Sequence, residues 1–211
     1  QYNTGVGGLA LFVNTTGSNN SSFGLSSMQA NTTGGNNTAV GQSALTSSTT
    51  ASNNTAVGYE AGKANTTGAH NTFVGNQAGV STTTASYLTA VGENAGRSVT
   101  TYNGTFFGAN AGRSTTGVAN TFLGCNASGY GAGYYVTTGN NNTIVGAFHG
   151  NQGGVDIRTA SNNTILSDGD GNVRLHINEL GNAYTNGTLA LSPTYSTTTS
   201  MNDVLRINSS S

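Results

Sequence analysis

Charge is nearly missing from this chain: six Lys or Arg and seven Asp or Glu serve 211 residues, 6% of the sequence. An ordinary domain carries roughly 25%. The few charges are scattered and sum to −1, so no basic patch is read that would neutralise phosphates and a nucleic-acid partner is not expected. Cys125 is the only cysteine. An intrachain disulfide framework is therefore ruled out, and Cys125 reads as a small residue in a repeat slot. No apolar run approaches the roughly 18 residues of a membrane span, so membrane insertion is not expected. No signal peptide is visible. Because Gln1-Tyr2-Asn3-Thr4 already lies inside a repeat, the expectation is a fragment or a processed product.

Apolar residues are also scarce, at 34% against about 45–50%. Scarcity of this kind suggests disorder, but disorder normally brings high charge and few β-branched residues. Here Thr, Asn and 32 Gly fill nearly half of the chain, and Val is common. That composition favours strands and turns. Its order is periodic. From Gly7 through Gly24, Gly41, Gly58, Gly75, Gly92, Gly108, Gly124 and Gly146 to Ser167, the intervals are 17 five times, 16 twice, then 22 and 21.

Each position relative to that anchor has its own chemistry. Immediately before it stand Val6, Phe23, Val40, Val57, Val74, Val91, Phe107, Leu123, Val145 and Leu166, without a polar exception. Thr, or once Ser21, stands two residues earlier, usually preceded by Asn. Three residues after the anchor comes Ala10, Ala44, Ala61, Ala78, Ala95, Ala111 or Ala127, with Ser27 in another repeat. Thr-Thr-Gly recurs, ending at Gly17, Gly34, Gly68, Gly117 and Gly139. N-T-x-V reads as a short strand, the anchor Gly as a bend, and Thr-Thr-Gly as a second turn. The fold class is therefore all-β: a parallel β-solenoid or β-roll of about ten 16–22-residue coils over residues 1–166, with a C-terminal β module over 167–211. Ten coils stacked at the strand spacing span roughly 40–50 Å.

Alternation puts Thr55 and Val57 on one face of the strand, and Asn54 and Ala56 on the other. The position of Ala56 also holds Phe73, Phe106, Phe122 and Ile144. Both faces are thus apolar, which implies burial on both. The expectation is that the Val column fills the coil while Phe73, Phe106, Phe122 and Ile144 face a partner; the alternative is that this second face packs on another part of the same chain. A thin coil returns little burial for its ordering entropy, so a homo-oligomer is expected, a trimer above all.

The iterated N-T-A-V-G-x-x-A-G resembles the head repeats of trimeric autotransporter adhesins. It is still closer to repeats in long tail fibres of marine and cyanobacterial phages. Ser167-Asp168-Gly169-Asp170-Gly171-Asn172-Val173-Arg174-Leu175-His176-Ile177-Asn178 is similar to the segment following such repeats in fibres that end in a self-cleaving chaperone. The resemblance implies a trimeric β-roll on a virion or cell surface. It leaves two functions open: a virion tail-fibre segment that engages a surface receptor or glycan, or an adhesin or self-assembling extracellular filament. The adhesin repeat is shorter, so the turns must be longer here.

Beyond the array, Val173, Leu175 and Ile177 alternate like a half-exposed strand. Asn186-Gly187 signals a hairpin between AYT and TLAL, and Pro193 ends that run. Asp168, Asp170, Asn172 and Glu179 partly match a calcium loop, but Val173 stands where that loop needs Gly, so a polar turn is the better reading. His70, His149 and His176 lack ligand spacing. No metal, cofactor or catalytic constellation is expected. The lengthened interval from Gly124 to Gly146 carries Tyr130, Tyr134 and Tyr135, which are candidate partner-binding residues because insertions in a solenoid become surface loops. The alternative is a Tyr cluster packed on a neighbouring subunit. Ice binding is a third class, disfavoured because Thr55 shares its face with Val57 rather than with a second Thr.

Overall fold

The computed structural model describes residues 2–185. Ten short strands, one per coil, form a continuous parallel ladder: β1 (Thr4–Val6), β2 (Ser21–Phe23), β3 (Thr38–Val40), β4 (Thr55–Val57), β5 (Thr72–Val74), β6 (Thr89–Val91), β7 (Thr105–Phe107), β8 (Thr121–Leu123), β9 (Thr143–Val145) and β12 (Thr164–Ser167). Between the last two lies a small hairpin, β10 (Asn151–Gln152) with β11 (Val155–Asp156). The sheet ends with β13 (Val173–Ile177) and β14 (Ala183–Thr185), both antiparallel to their neighbours. Register is uniform: Thr38, Thr55 and Thr72 pair in line, as do Val40, Val57 and Val74. The protein is a parallel β-solenoid of about ten turns.

The first nine strands of the ladder are short because the anchor glycine stops each one; β12 runs through Ser167 instead. Gly58 has φ +136°, and a Cβ placed on it would lie 2.4 Å from the carbonyl oxygen of Gly75 in the next coil. Both the backbone region and the axial approach exclude a side chain. Gly58→Ala is therefore expected to cost about 3 kcal/mol or more, read as a lower unfolding midpoint. The Thr-Thr-Gly glycines act differently. A Cβ on Gly68 would sit 2.1 Å from Ala85 O, so close stacking, rather than a left-handed turn, demands glycine there.

The rest of each coil turns through left-handed residues, for example Glu60 (φ 55°), Gly62 (φ 60°) and His70 (φ 60°). Asn tolerates this region better than most side chains, which accounts for the exposed Asn19, Asn36, Asn53, Asn103, Asn141 and Asn162. Except after Asn103, where Gly104 follows, the next residue is an asparagine that turns inward. Asn54 Oδ1 accepts from Asn71 N at 2.9 Å, and Asn54 Nδ2 donates to Gly68 O at 2.9 Å. Asn37 and Asn20 repeat the scheme. This buried ladder satisfies the backbone where the strand begins, as buried polar groups require.

That asparagine also decides which face is inside. Its amide closes the coil by reaching a carbonyl 14 residues onward, so the interior lies on the Asn side. The residue two positions later must share it. The face assignment expected from sequence is thus reversed. Phe73, Phe106, Phe122 and Ile144 have 0% exposure within a single chain and line its core, while Val57 and its column point outward. No partner is needed to bury the phenylalanines.

Core packing is reciprocal. Early coils pair a small strand residue with a large turn residue: Gly5 with Leu11, Ser22 with Met28, Ala39 with Leu45. Later coils invert the sizes: Phe73 with Gly79, Phe106 with Gly112, Phe122 with Gly133. A Cβ on Gly79 would fall 2.3 Å from the Phe73 ring. Where both are small, as with Ala56 and Gly62, neighbours fill the gap. Leu45 and Phe73 would meet a Cβ on Gly62 at 2.9 and 2.7 Å.

The insertion also falls elsewhere than the spacing suggested. Ala132, not Ala127, occupies the buried alanine position, since Gly112 N donates to Ala132 O. Residues 125–131 form an outward excursion, closed by a bridge between an exposed Cys125 and Gly131. The alternating strand expected at Val173–Ile177 is β13. Asn186-Gly187, TLAL and Pro193 lie outside the described residues.

Candidate interaction surfaces

Two surfaces stand out, one built by the sheet and one by the turns. On the sheet, each T-x-V strand presents Thr and Val outward. The outer column is Val6, Phe23, Val40, Val57, Val74, Val91, Phe107, Leu123, Val145 and Leu166, and eight of these are 37–55% exposed. Val74 and Val91 are half-buried. Beside it runs a column of Thr and one Ser. Neither column contains a charge. The apolar strip is about 43 Å long at one strand spacing per rung, with an area on the order of 400 Å². Such an area matches the largest apolar patch an ordinary monomer exposes.

The turn surface gathers Tyr130, from the excursion, with Tyr134 and Tyr135 of the regular turn that follows it. Asn126 organises the excursion: its Oδ1 accepts from Tyr130 N at 2.9 Å, and its N donates to Tyr130 O at 2.9 Å. Asn110 Nδ2 tethers the loop to the preceding coil through Gly129 O at 2.8 Å. Tyr130 thereby lies 5.1 Å from Tyr134 and 5.7 Å from Tyr135, ring centroid to ring centroid. Tyr134 and Tyr135 meet edge-on at 4.8 Å. His149 completes the group, 5.6 Å from Tyr130 and 5.3 Å from Tyr135. Burial lowers the pKa of His149 below its ordinary value, which favours the neutral ring. The Tyr135 phenol is raised, first by the Tyr130 hydroxyl and then by burial, and stays un-ionised.

Arg113, one coil earlier, joins the cluster. Its Nη1 donates to the Tyr134 hydroxyl, and its guanidinium carbon lies 5.3 Å from the Tyr134 ring centroid. Sequence reasoning passed over this residue and over Arg97 in the coil before. The signal was present: each stands five residues after its anchor, Gly108 and Gly92.

The remaining candidates have structural partners. His70 stacks on Tyr87 at 5.0 Å. His176 Nε2 lies 2.8 Å from Asn163 Oδ1, so an imidazole terminates the asparagine ladder where the strands become antiparallel. Asp168 organises a turn. Burial pushes its carboxyl up, but hydrogen bonds from Asn172, Arg174 and the Asp170 backbone outweigh that and bring it down to about 2. Among the described residues no helix is long and apolar enough to cross a membrane. No protein-family model, curated protein or solved structure matches the chain.

Proposed function

We propose that this chain is a structural segment of a fibre displayed on a virion, of the tail-fibre kind, built from three parallel copies around a common axis. The observation that carries the reading is the uncharged, in-register outer column, unbroken from Val6 to Leu166. A second copy of this chain suits it because a second copy repeats at the same axial spacing and carries no charge to strand. Area sharpens the geometry. A stable interface takes about 800 Å² per partner, so the strip alone is too small, and the flanking Thr column belongs to the contact. A rod that buries its own core and leaves one apolar stripe fits a component that transmits distance rather than one that transforms a substrate. The resemblance of the repeats to phage fibre and adhesin repeats supports the same reading, with the protein at a virion or extracellular surface.

Imaging of native particles tests it. Trimeric rods attached to a tail are expected. Rods joined end to end without virions would overturn the virion placement and favour the extracellular filament. Light scattering tests the assembly separately: a monomeric rod that shapes growing ice would identify the outer Thr and Val columns as a water-ordering surface instead.

A further inference from the structure

We infer that the turn surface formed by Arg97, Arg113, Tyr130, Tyr134 and Tyr135 binds an acidic saccharide, a pyranose bearing carboxylate or sulfate. The inference goes beyond the fibre reading and does not depend on the number of copies.

Charge pairing is the first observation. Among the described residues, Lys63 pairs with Glu60 at 2.6 Å, Arg158 with Asp156 at 2.7 Å, and Arg174 with Asp168 at 2.5 Å. Arg97 and Arg113 are the described cations without such a partner. They occupy the same turn position in successive coils, where Ser98 N donates to Arg113 O at 3.1 Å. Glu93, in the same region of the array, makes no ion pair with either. Two like charges one rung apart repel, and an anion lying between them turns that repulsion into attraction.

The second observation is unspent hydrogen bonding. Nε of both arginines is buried without an acceptor, an arrangement that costs stability and that a ligand relieves by drawing the guanidinium outward. A carboxylate or sulfate offers paired oxygens to a guanidinium edge, and bidentate pairing is the strongest form of this contact. Tyr134 holds the Arg113 fork in place through its hydroxyl.

Aromatic exposure is the third. Tyr130 and Tyr135 remain 37% and 41% exposed although they sit within a ring cluster. A tyrosine presents an apolar face and a polar edge, the match for the C–H face and hydroxyl rim of a pyranose. The neutral His149 and un-ionised Tyr135 leave the positive charge of the arginines uncancelled. Arginines and tyrosines follow one another along the stack, so the site runs along the rod axis and suits a short chain of sugars.

The test uses the purified rod and tyrosine fluorescence or calorimetry, with an oligogalacturonate, its methyl ester and a sulfated oligosaccharide as probes. At least one acidic probe is expected to bind, more weakly as salt rises, and the neutral ester is not. Arg97→Ala and Arg113→Ala should each weaken binding about tenfold or more, as loss of a charged hydrogen bond does. Tyr135→Ala should weaken it too, with the scattering mass and circular dichroism unchanged. Preference between carboxylate and sulfate identifies the anion. The inference is overturned if neither acidic probe binds, if the ester binds equally, or if inorganic sulfate alone competes as well as the sugar. A change of assembly mass in Tyr135→Ala would also overturn it, because the cluster would then be a subunit contact. Failure of binding leaves rods and mass intact, so it is separable from failure of the fibre reading.

Discussion

Phe73→Ala is expected to lower stability by about 3–5 kcal/mol, the range for truncating a buried aromatic. The ring is fully buried, and it fills space left by glycine in its own coil and in the one before. Gly79→Leu alone should also be destabilising, because its Cβ would fall 2.3 Å from the same ring. Overpacking of this kind costs about 1–3 kcal/mol or more. The informative variant is the double one, F73A/G79L. It recreates the pair found two coils earlier, Ala39 with Leu45. Leu45 has φ 50° at the position where Gly79 has φ 61°, so a leucine there meets the same backbone. Part of the loss should be recovered, with a coupling of about 2–3 kcal/mol in a double-mutant cycle measured by denaturant unfolding. Costs that simply add would show that the two positions do not share one interior space. A fall in assembly mass on Phe73→Ala would instead place the ring at a subunit contact.

The same pair shows where sequence reasoning succeeded and where it stopped. The solenoid and its register were legible because Gly58 and its equivalents recur at fixed intervals, and a glycine required by axial contact cannot drift. The two faces of the strand were legible by alternation. Which face is inside was not, because alternation alone is symmetric. Asn54 breaks the symmetry through its bond to Gly68 O, and an asparagine in a repeat is equally consistent with an outward ladder. The reciprocal sizes of Ala39 with Leu45 and Phe73 with Gly79 were a second, readable signal, since only residues sharing one space need to trade volume. In the lengthened coil, interval counting revealed extra residues but not their place. Ala127 and Ala132 fit the spacing equally, and the choice depends on which backbone meets Gly112. The tyrosines were found because they lie together in the chain. Arg113 belongs to the same surface but lies 21 residues from Tyr134, a separation that becomes a contact only once coils are stacked.

Reversing the faces moves the expected assembly contact from Phe73 to the Val57 column, and charge placed there should separate the copies. In one chain the Val57 side chain is 37% exposed and points away from the core. Val57→Asp combined with Val91→Asp should therefore leave the solenoid folded, with unchanged circular dichroism. In a three-copy fibre the same substitutions bring carboxylates from every chain together without a cation, because neither outer column contains one. Burying an uncompensated charge costs several kcal/mol, and each 1.4 kcal/mol is about tenfold in affinity. A loss on the order of a hundredfold or more in association follows, read by light scattering as a shift from trimer toward monomer. Thr67→Asp, on an exposed turn, is the matched control and should leave the mass unchanged. Lowering the pH below the ordinary carboxylate range should restore association of the double variant, because protonation removes the repulsion while leaving the shape. A double variant that remains trimeric at neutral pH would place the contact on another side of the rod. The outer Val column would then be a surface the protein keeps in water, and the ice-growth measurement would become the deciding one.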